Sequence, residues 1–311
     1  MLLLGEYMRI ICLMENTIGN ELCQAEHGLS LYIEMKHQTI LMDTGASGLF
    51  VENAGKLGVD LTKVETVFLS HGHYDHGGGI LDFHGINAKA KIVMQKKAFG
   101  NYWHKSANVE KYIGLDSKIQ DIWNLVLLDG NNLSDTEAEK SGWKIRNREE
   151  NGKNVLEREE GQSIQIFTLK SRKKEELKCW PEGNLVLKEK IGNEYVQDNF
   201  EHEQYLVLKE NGKSILISGC AHNGILNILE EYKNRYGSKP DMLISGFHMR
   251  KKNGYEKKDF EVIKEPAKFL KDTGILCYTG HCTGEEPFEV MKKIMGEQLQ
   301  YLHCGDIIEI K

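Results

Sequence analysis

The chain has 311 residues, 40% hydrophobic and 28% charged, with a formal net charge of −6 that leaves 12 His uncounted. This is a globular composition, long enough for one large domain or two ordinary ones. The acidic balance argues against nucleic-acid binding, which needs a basic face, and no stretch approaches the roughly 20 apolar residues of a membrane span.

Seven Cys are scattered without a CxxC pair, so a disulfide framework is not expected and a reducing cytoplasm is the simplest compartment. The opening MLLLGEYMRIICLMEN is too short in its apolar run for a signal segment and carries Glu6 and Arg9. Met8 is an alternative start, with residues 1–7 then a frayed extension.

In chain order, MRIICLM (8–14) reads as a buried strand, and LSLYIEM (29–35) and TILMDTG (39–45) as a hairpin through Lys36, His37 and Gln38. NAGKLGVDL (53–61) is helix-like. TVFLS (66–70) and KIVMQ (91–95) are short buried strands. KKAFGNYWHK and the region around Ile119–Trp123 are helical candidates. Residues 130–161 are polar and rich in turn formers, the pattern of a projecting hairpin or mobile loop. IQIFTL (164–169) resumes a strand, and KSRKKEELK reads as a solvated charge run.

From residue 204 the pattern is regular. QYLVLKENGKSILISG is a hairpin turning at Asn211-Gly212. The helix GILNILEEYKNRYG stops at Gly237. A strand (DMLISGF), a helix kinked or not at Pro266, a strand (ILCYTG), a helix (EEPFEVMKKIMGEQL) and a last strand near DIIEI follow. The expectation is one α/β domain over 1–311, with two sheets, flanking helices and an elaborated region around 96–200.

The chemistry concentrates in LSHGHYDHGGGI (69–80). His71 and His73 follow a strand at spacing two, so both imidazoles face the same side, and Gly72 between them permits close backbone approach. Asp75 and His76 come round a turn, and Gly77–Gly79 would open a helix beside them. Two His on one side and an Asp-His pair on the other suit two metal ions.

His71-x-His73-x-Asp75-His76 resembles the signature of the metallo-β-lactamase-fold hydrolases, and the strand Ile40–Gly45 resembles that superfamily's first motif, ending in Asp-Thr-Gly. The resemblance implies an αββα sandwich, two mixed β-sheets flanked by helices, with the site at one edge of the sheets. It implies further ligands at later strand ends, where His222, His248 and His281 each follow an apolar run and a Gly. A bridging Asp is expected after the Gly that here precedes Cys220, and the chain has Cys-Ala-His instead. His222 is then the preferred ligand, Cys220 the alternative, and His202 a further candidate. The implied site is His71, His73 and His222 at one ion, and Asp75, His76 and His281 at the other, with Asp43 orienting a ligand His.

Zinc is the expected cofactor, two ions, with manganese or iron tolerated by the same donors. An ion with about three protein ligands keeps an open position and supplies hydroxide near neutral pH. Asp75 and His248 are the expected catalytic groups. His27, His248 and Thr283 are the expected contacts to a small, anionic substrate. Asn16, Glu26–Ser30, Ser70–Gly79, Gly219–Gly224, Gly246–His248 and His281–Gly284 together resemble the dihydropterin-ribofuranosyl-aminobenzene phosphate synthase family. Three readings stay open: a hydrolase of a small ester, lactone, thioester or phosphoester; a synthase joining a pterin diphosphate to an aminobenzene-ribose phosphate; and a redox or metal-sensing protein using Cys220, Cys277, Cys282 and Cys304. Oligomeric state is not specified by the sequence.

Overall fold

The computed structural model describes residues 8–130, 155–159, 162–169, 176–251 and 254–311. The expected extension 1–7, most of the polar region 130–161 and most of the charge run lie outside these residues.

The first half supplies β1 (Met8–Met14), β2 (Ser30–Met35), β3 (Gln38–Met42), β4 (Thr66–Phe68), β5 (Lys91–Gln95), β6 (Tyr102–Lys105), β7 (Glu110–Tyr112) and β8 (Leu125–Leu128). The second half supplies β9 (Val155–Glu159), β10 (Gln162–Phe167), β11 (Leu187–Ile191), β12 (Glu194–Gln197) and β13 (Tyr205–Glu210). It continues with β14 (Lys213–Ser218), β15 (Met242–Ser245), β16 (Leu276–Thr279), β17 (Leu299–Tyr301) and β18 (Ile307–Ile310).

Two seven-stranded sheets result, in the orders β18-β1-β2-β3-β4-β5-β8 and β17-β16-β15-β14-β13-β10-β9. In the first, β3, β4, β5 and β8 are parallel. In the second, β14 to β17 are parallel. Alternation sorts each strand's side chains between two faces. Ile10, Leu31, Ile40, Phe68, Ile164, Leu206, Ile215, Ile217 and Ile244 meet between the sheets. Ile11, Leu41, Phe50, Val67 and Phe83 pack outside the first sheet, under the helices Leu49–Lys56 and Ile80–Ile86. Leu216, Leu243, Ile228, Leu270 and Met291 pack outside the second, under the helices Ile225–Tyr236, Lys257–Thr273 and Glu285–Met295. The layers are helix, sheet, sheet, helix: the αββα sandwich.

Several local expectations change. The helix expected at 53–61 is Leu49–Lys56, because Gly58 at φ 70° terminates it. KKAFGNYWHK is a short 3₁₀ turn, Lys96–Phe99, followed by β6. Gly100 breaks the helical run, and Tyr102-Trp103 favour extended chain. Ser117–Asp121 is likewise a 3₁₀ turn, not an α-helix. A third sheet, β12-β11-β6-β7, joins residues from both ends of the 96–200 region and closes over Tyr102, Ile113, Leu187 and Phe200. Pro266 sits inside one unbroken assigned helix, Lys257–Thr273.

Candidate metal centre

The C-terminal ends of the parallel strands point to one edge, the position where open parallel sheets place ligand sites. Asp43 follows β3, Ser70 to His76 follow β4, Gly219 to His222 follow β14, His248 follows β15, and His281 follows β16. Asp43, Ala221, His248 and His281 all take left-handed φ values, 60°, 55°, 49° and 50°. Non-glycine residues hold that conformation only where the surroundings impose it, and such positions gather at functional sites.

Gly72 allows the His71-Gly-His73 turn to form: a Cβ there would lie 2.3 Å from the Ala98 carbonyl oxygen and 2.8 Å from its Cα. The rings of His71 and His73 are 4.6 Å apart, and His222 lies 4.8 Å from His71 and 5.0 Å from His73. Donor atoms of these three residues fall within 4.8 Å of one another. The second expected set is joined pairwise, His76 Nε2 at 3.1 Å from His281 Nε2 and Asp75 Oδ2 at 3.5 Å from His281 Nε2. All five of these His are buried.

Three of the rings are held by their far nitrogen. His76 Nδ1 meets Asp43 Oδ2 at 2.7 Å, His222 Nδ1 meets Asn184 Oδ1 at 2.8 Å, and His281 Nδ1 meets Asn16 Oδ1 at 3.0 Å. Carboxylate and amide oxygens only accept, so Nδ1 carries a proton in each, and a neutral ring then has its lone pair on Nε2. Those Nε2 atoms then face other imidazole nitrogens: His222 to His71 at 3.3 Å, His76 to His281 at 3.1 Å. A cation would compensate such a convergence of ring nitrogens in a buried site, and the donor set fits one. Burial, then the neighbouring His76, His73 and His222, push His71 well below its ordinary pKa. Burial and His248 do the same to His222, and burial lowers His281 although Asp75 opposes it. Neutral imidazole is the form that ligates metal. For His76 burial also disfavours charge, but Asp43 outweighs it and raises the group to about 9.

Asp43 is fully buried and also accepts from Ser70 N at 2.6 Å and Ser70 Oγ at 2.7 Å. Asp75 reaches the mouth. Burial opposes its charge, but His27 and His281 hold it well below the usual carboxylate range. His27 is a rim residue, stacked on His281 at 4.8 Å, with Nε2 at 3.3 Å from Asp75 and Arg250 Nη1 at 3.2 Å from its Nδ1. His248 packs 4.3 Å from His222, its Nδ1 buried without a hydrogen bond. Gly183 leaves room for it, since a Cβ there would stand 3.1 Å from the His248 ring.

Thr283, an expected substrate contact, and His202, a further ligand candidate, have other partners in the structure. Thr283 is buried, shares a 2.6 Å hydrogen bond with Thr279 and accepts from Phe247 N. It braces β15 against β16. His202 spends both nitrogens: Nδ1 accepts from Gly72 N at 2.9 Å and Nε2 meets Asp198 at 3.0 Å. It supports the His71–His73 turn and has no donor left for an ion. Of the four Cys expected near the metals, Cys277 lies in the outer core of the second sheet and Cys304 bonds to Leu13 O.

Sequence reasoning left the supporting layer without roles. Glu203 is buried and accepts from His222 N, Asn223 N, Asn223 Nδ2 and Tyr205 OH, pinning the loop that presents His222. Glu15 accepts the His281 N–H. Asp198 stands 3.9 Å from His73 Nε2. A carboxylate beside the start of β13 was the one signal for Glu203, since such groups are seldom buried without partners.

A cleft of about 530 Å³, open mouth included, adjoins His248. Trp180, Met249, Tyr255, Val262 and Ile263 give it apolar walls, and Arg250 and Lys251 stand at its rim. Lys251 is neutralised by Asp259 at 2.6 Å and Glu182 at 3.4 Å. Arg250 has no carboxylate partner among the described residues.

Sandwich, strand-end histidines and Asp-Thr-Gly turn together define a protein of the metallo-β-lactamase fold, and residues 24–153 match the family model described as Metallo-beta-lactamase superfamily. The chain is 28% identical over 313 residues to the 7,8-dihydropterin-6-methyl-4-(β-D-ribofuranosyl)-aminobenzene-5'-phosphate synthase of Methanocaldococcus jannaschii, covering 97% of this chain and 96% of that protein. It is 24% identical over 296 residues to an uncharacterised protein of the same organism, covering 92% and 94%. Among solved structures, Tm1679, a metal-dependent hydrolase of the β-lactamase superfamily, superposes with TM-score 0.72 at 24% identity, covering 98% of this chain and 99% of its own. The metallo-β-lactamase fold protein YhfI from Bacillus subtilis gives TM-score 0.53 at 12% identity, covering 98% and 100%. No helix among the described residues is long and apolar enough to cross a membrane.

Proposed function

We propose that this protein is a cytoplasmic metal-dependent hydrolase that binds two zinc ions and cleaves a small ester, lactone or phosphoester bearing an anionic group. The observation that carries the reading is the set of buried Nε2 atoms converging at 3.1 and 3.3 Å, with the rings of His76, His222 and His281 held by Asp43, Asn184 and Asn16. His71, His73 and His222 would hold one ion, and Asp75, His76 and His281 the other. Bound there, divalent cations acidify water and polarise a substrate oxygen.

The chain's own groups do the rest. Asp75, kept ionised by His27 and His281, would take the proton of the attacking water at Oδ1, leaving Oδ2, the oxygen nearest His281, to the ion. His248, at the junction of centre and cleft, returns a proton to the leaving group. Arg250 and His27 at the rim receive the anionic group, and the Trp180–Tyr255 cleft takes the apolar body.

Metal analysis of the purified protein with a panel of chromogenic phosphodiesters, esters and lactones tests this. Two zinc per chain with turnover is expected. His71→Ala should lose metal, and His248→Ala should keep metal and lose turnover. Equal metal loss in both would show that His248 is a ligand.

The full-length similarity to the synthase favours a second reading, transfer of an aminobenzene-ribose phosphate to a pterin diphosphate. Diphosphate release requiring both of those compounds, without hydrolysis of the panel, would select it.

A further inference from the structure

We infer that Cys220 is a thiolate ligand shared by both cation positions, and that the centre therefore selects thiophilic cations such as zinc, cobalt or ferrous iron over manganese and magnesium. This rests on the metal centre proposed above. Cys220 Sγ falls within 4.8 Å of the donors of His71 and His76, of His222 and His248, and of His281 and Cys282. It thus reaches members of both histidine sets. It stands 3.1 Å from His76 Nε2 and is 2% exposed.

The backbone aims it there. β14 ends against the Ser70 turn, where Gly219 has no room for a side chain: a Cβ would lie 2.3 Å from Ser70 Oγ. Gly246 N donates to Gly219 O at 2.8 Å, locking β14 to β15 at this point. Ala221 then turns with φ 55°, so that Cys220 and His222 both address the centre. Two divalent ions bring a large positive charge into a pocket whose facing donors are imidazoles and one carboxylate, Asp75. A second anionic donor between the ions meets that charge where a carboxylate would otherwise serve. Sulfur in that place favours soft and borderline cations over hard oxygen-seeking ones.

Cys282, the neighbouring thiol, has a different place. Its Sγ accepts from His248 N at 3.3 Å and lies 3.6 Å from Cys220 O. It also fills the space that a Gly246 Cβ would enter at 2.3 Å. It is a wedge between strand tips, and it supplies the control.

The test is cobalt(II) loading of chelator-stripped protein, followed by absorption and elemental analysis. The wild type should develop a thiolate-to-cobalt charge-transfer band in the near ultraviolet, rising with cobalt content. Cys282→Ser should retain it. Cys220→Asp should bind cobalt without the band and lower the preference for zinc over manganese at least tenfold, read by competition. Cys220→Ala gives the same spectral reading if the aspartate variant does not fold. Cobalt uptake by the wild type without the band, a band surviving in Cys220→Asp, or one lost only in Cys282→Ser would each overturn the assignment. Absence of any cobalt or zinc uptake would instead sink the metal centre itself, and the two failures are read from different columns of the same measurement.

Discussion

At the scale of single residues, the imidazoles depend on groups that never face the centre. Asp43 fixes His76 and Ser70 together. Asp43→Asn keeps the shape but removes the charge and one acceptor, and should weaken cation affinity about 10- to 100-fold, measured by competition with a chromophoric chelator. Glu203 answers to a different readout. Its removal in Glu203→Ala strands the N–H groups of His222 and Asn223 in a buried loop. Each unsatisfied group costs about 1–3 kcal/mol, so urea unfolding should show a loss of several kcal/mol even in stripped protein. The HxHxDH cluster was legible in the sequence because four donor residues in six positions have no packing rationale. Asn184 and Glu203 were not, and Asn16 stood out only within a family motif and without a role, since a lone amide or acid gains meaning only from what lies opposite it, and Asn184 is 38 residues away from His222.

At the scale of elements, close backbone approach decides which turns can form. Gly72→Ala places a methyl carbon into the Ala98 backbone, a neighbour that cannot rotate away. It should cost about 1–3 kcal/mol and displace His71 and His73, seen as a drop in both stability and metal content. The β14–β15 crossover offers a pH-dependent check. Burial opposes the charge of Asp241, but hydrogen bonds from Ser214 N at 2.8 Å and Ser214 Oγ at 2.9 Å hold its carboxyl below the ordinary value. The stabilisation is present above about pH 4 and lost as the pH falls through the lower folded-state value. Asp241→Ala should therefore cost about 0.5–1 kcal/mol at pH 7, reduced by its solvent exposure, and the gap should close in acid. The strands that carry the site were readable as apolar runs broken by Gly and His. The third sheet was not. Its strands are three to five residues long, charged and partly exposed, and its central pairing, β6 with β11, joins residues more than 80 apart in sequence, which no local pattern announces.

At the scale of the molecule, His71 to His76 issue from the first sheet and His222 and His281 from the second, each sheet with its own outer helices. Binding that spans them should stabilise the whole: ligand at 100 times its dissociation constant adds about 2.7 kcal/mol. Zinc should raise the unfolding midpoint of stripped protein and a chelator should lower a zinc-loaded one, with both shifts smaller in His71→Ala. An unchanged midpoint in the wild type would show that zinc does not bind the folded chain.

The left-handed turns at Asp43, Ala221, His248 and His281 carry one more consequence. Only Ala221 among them presents no functional group, so it is the tip where relief is free of chemistry. A glycine there would sit comfortably, at a gain of up to about 1 kcal/mol. The same freedom would let the sulfur and imidazole on either side wander. Ala221→Gly would be a sturdier protein with a blunter instrument.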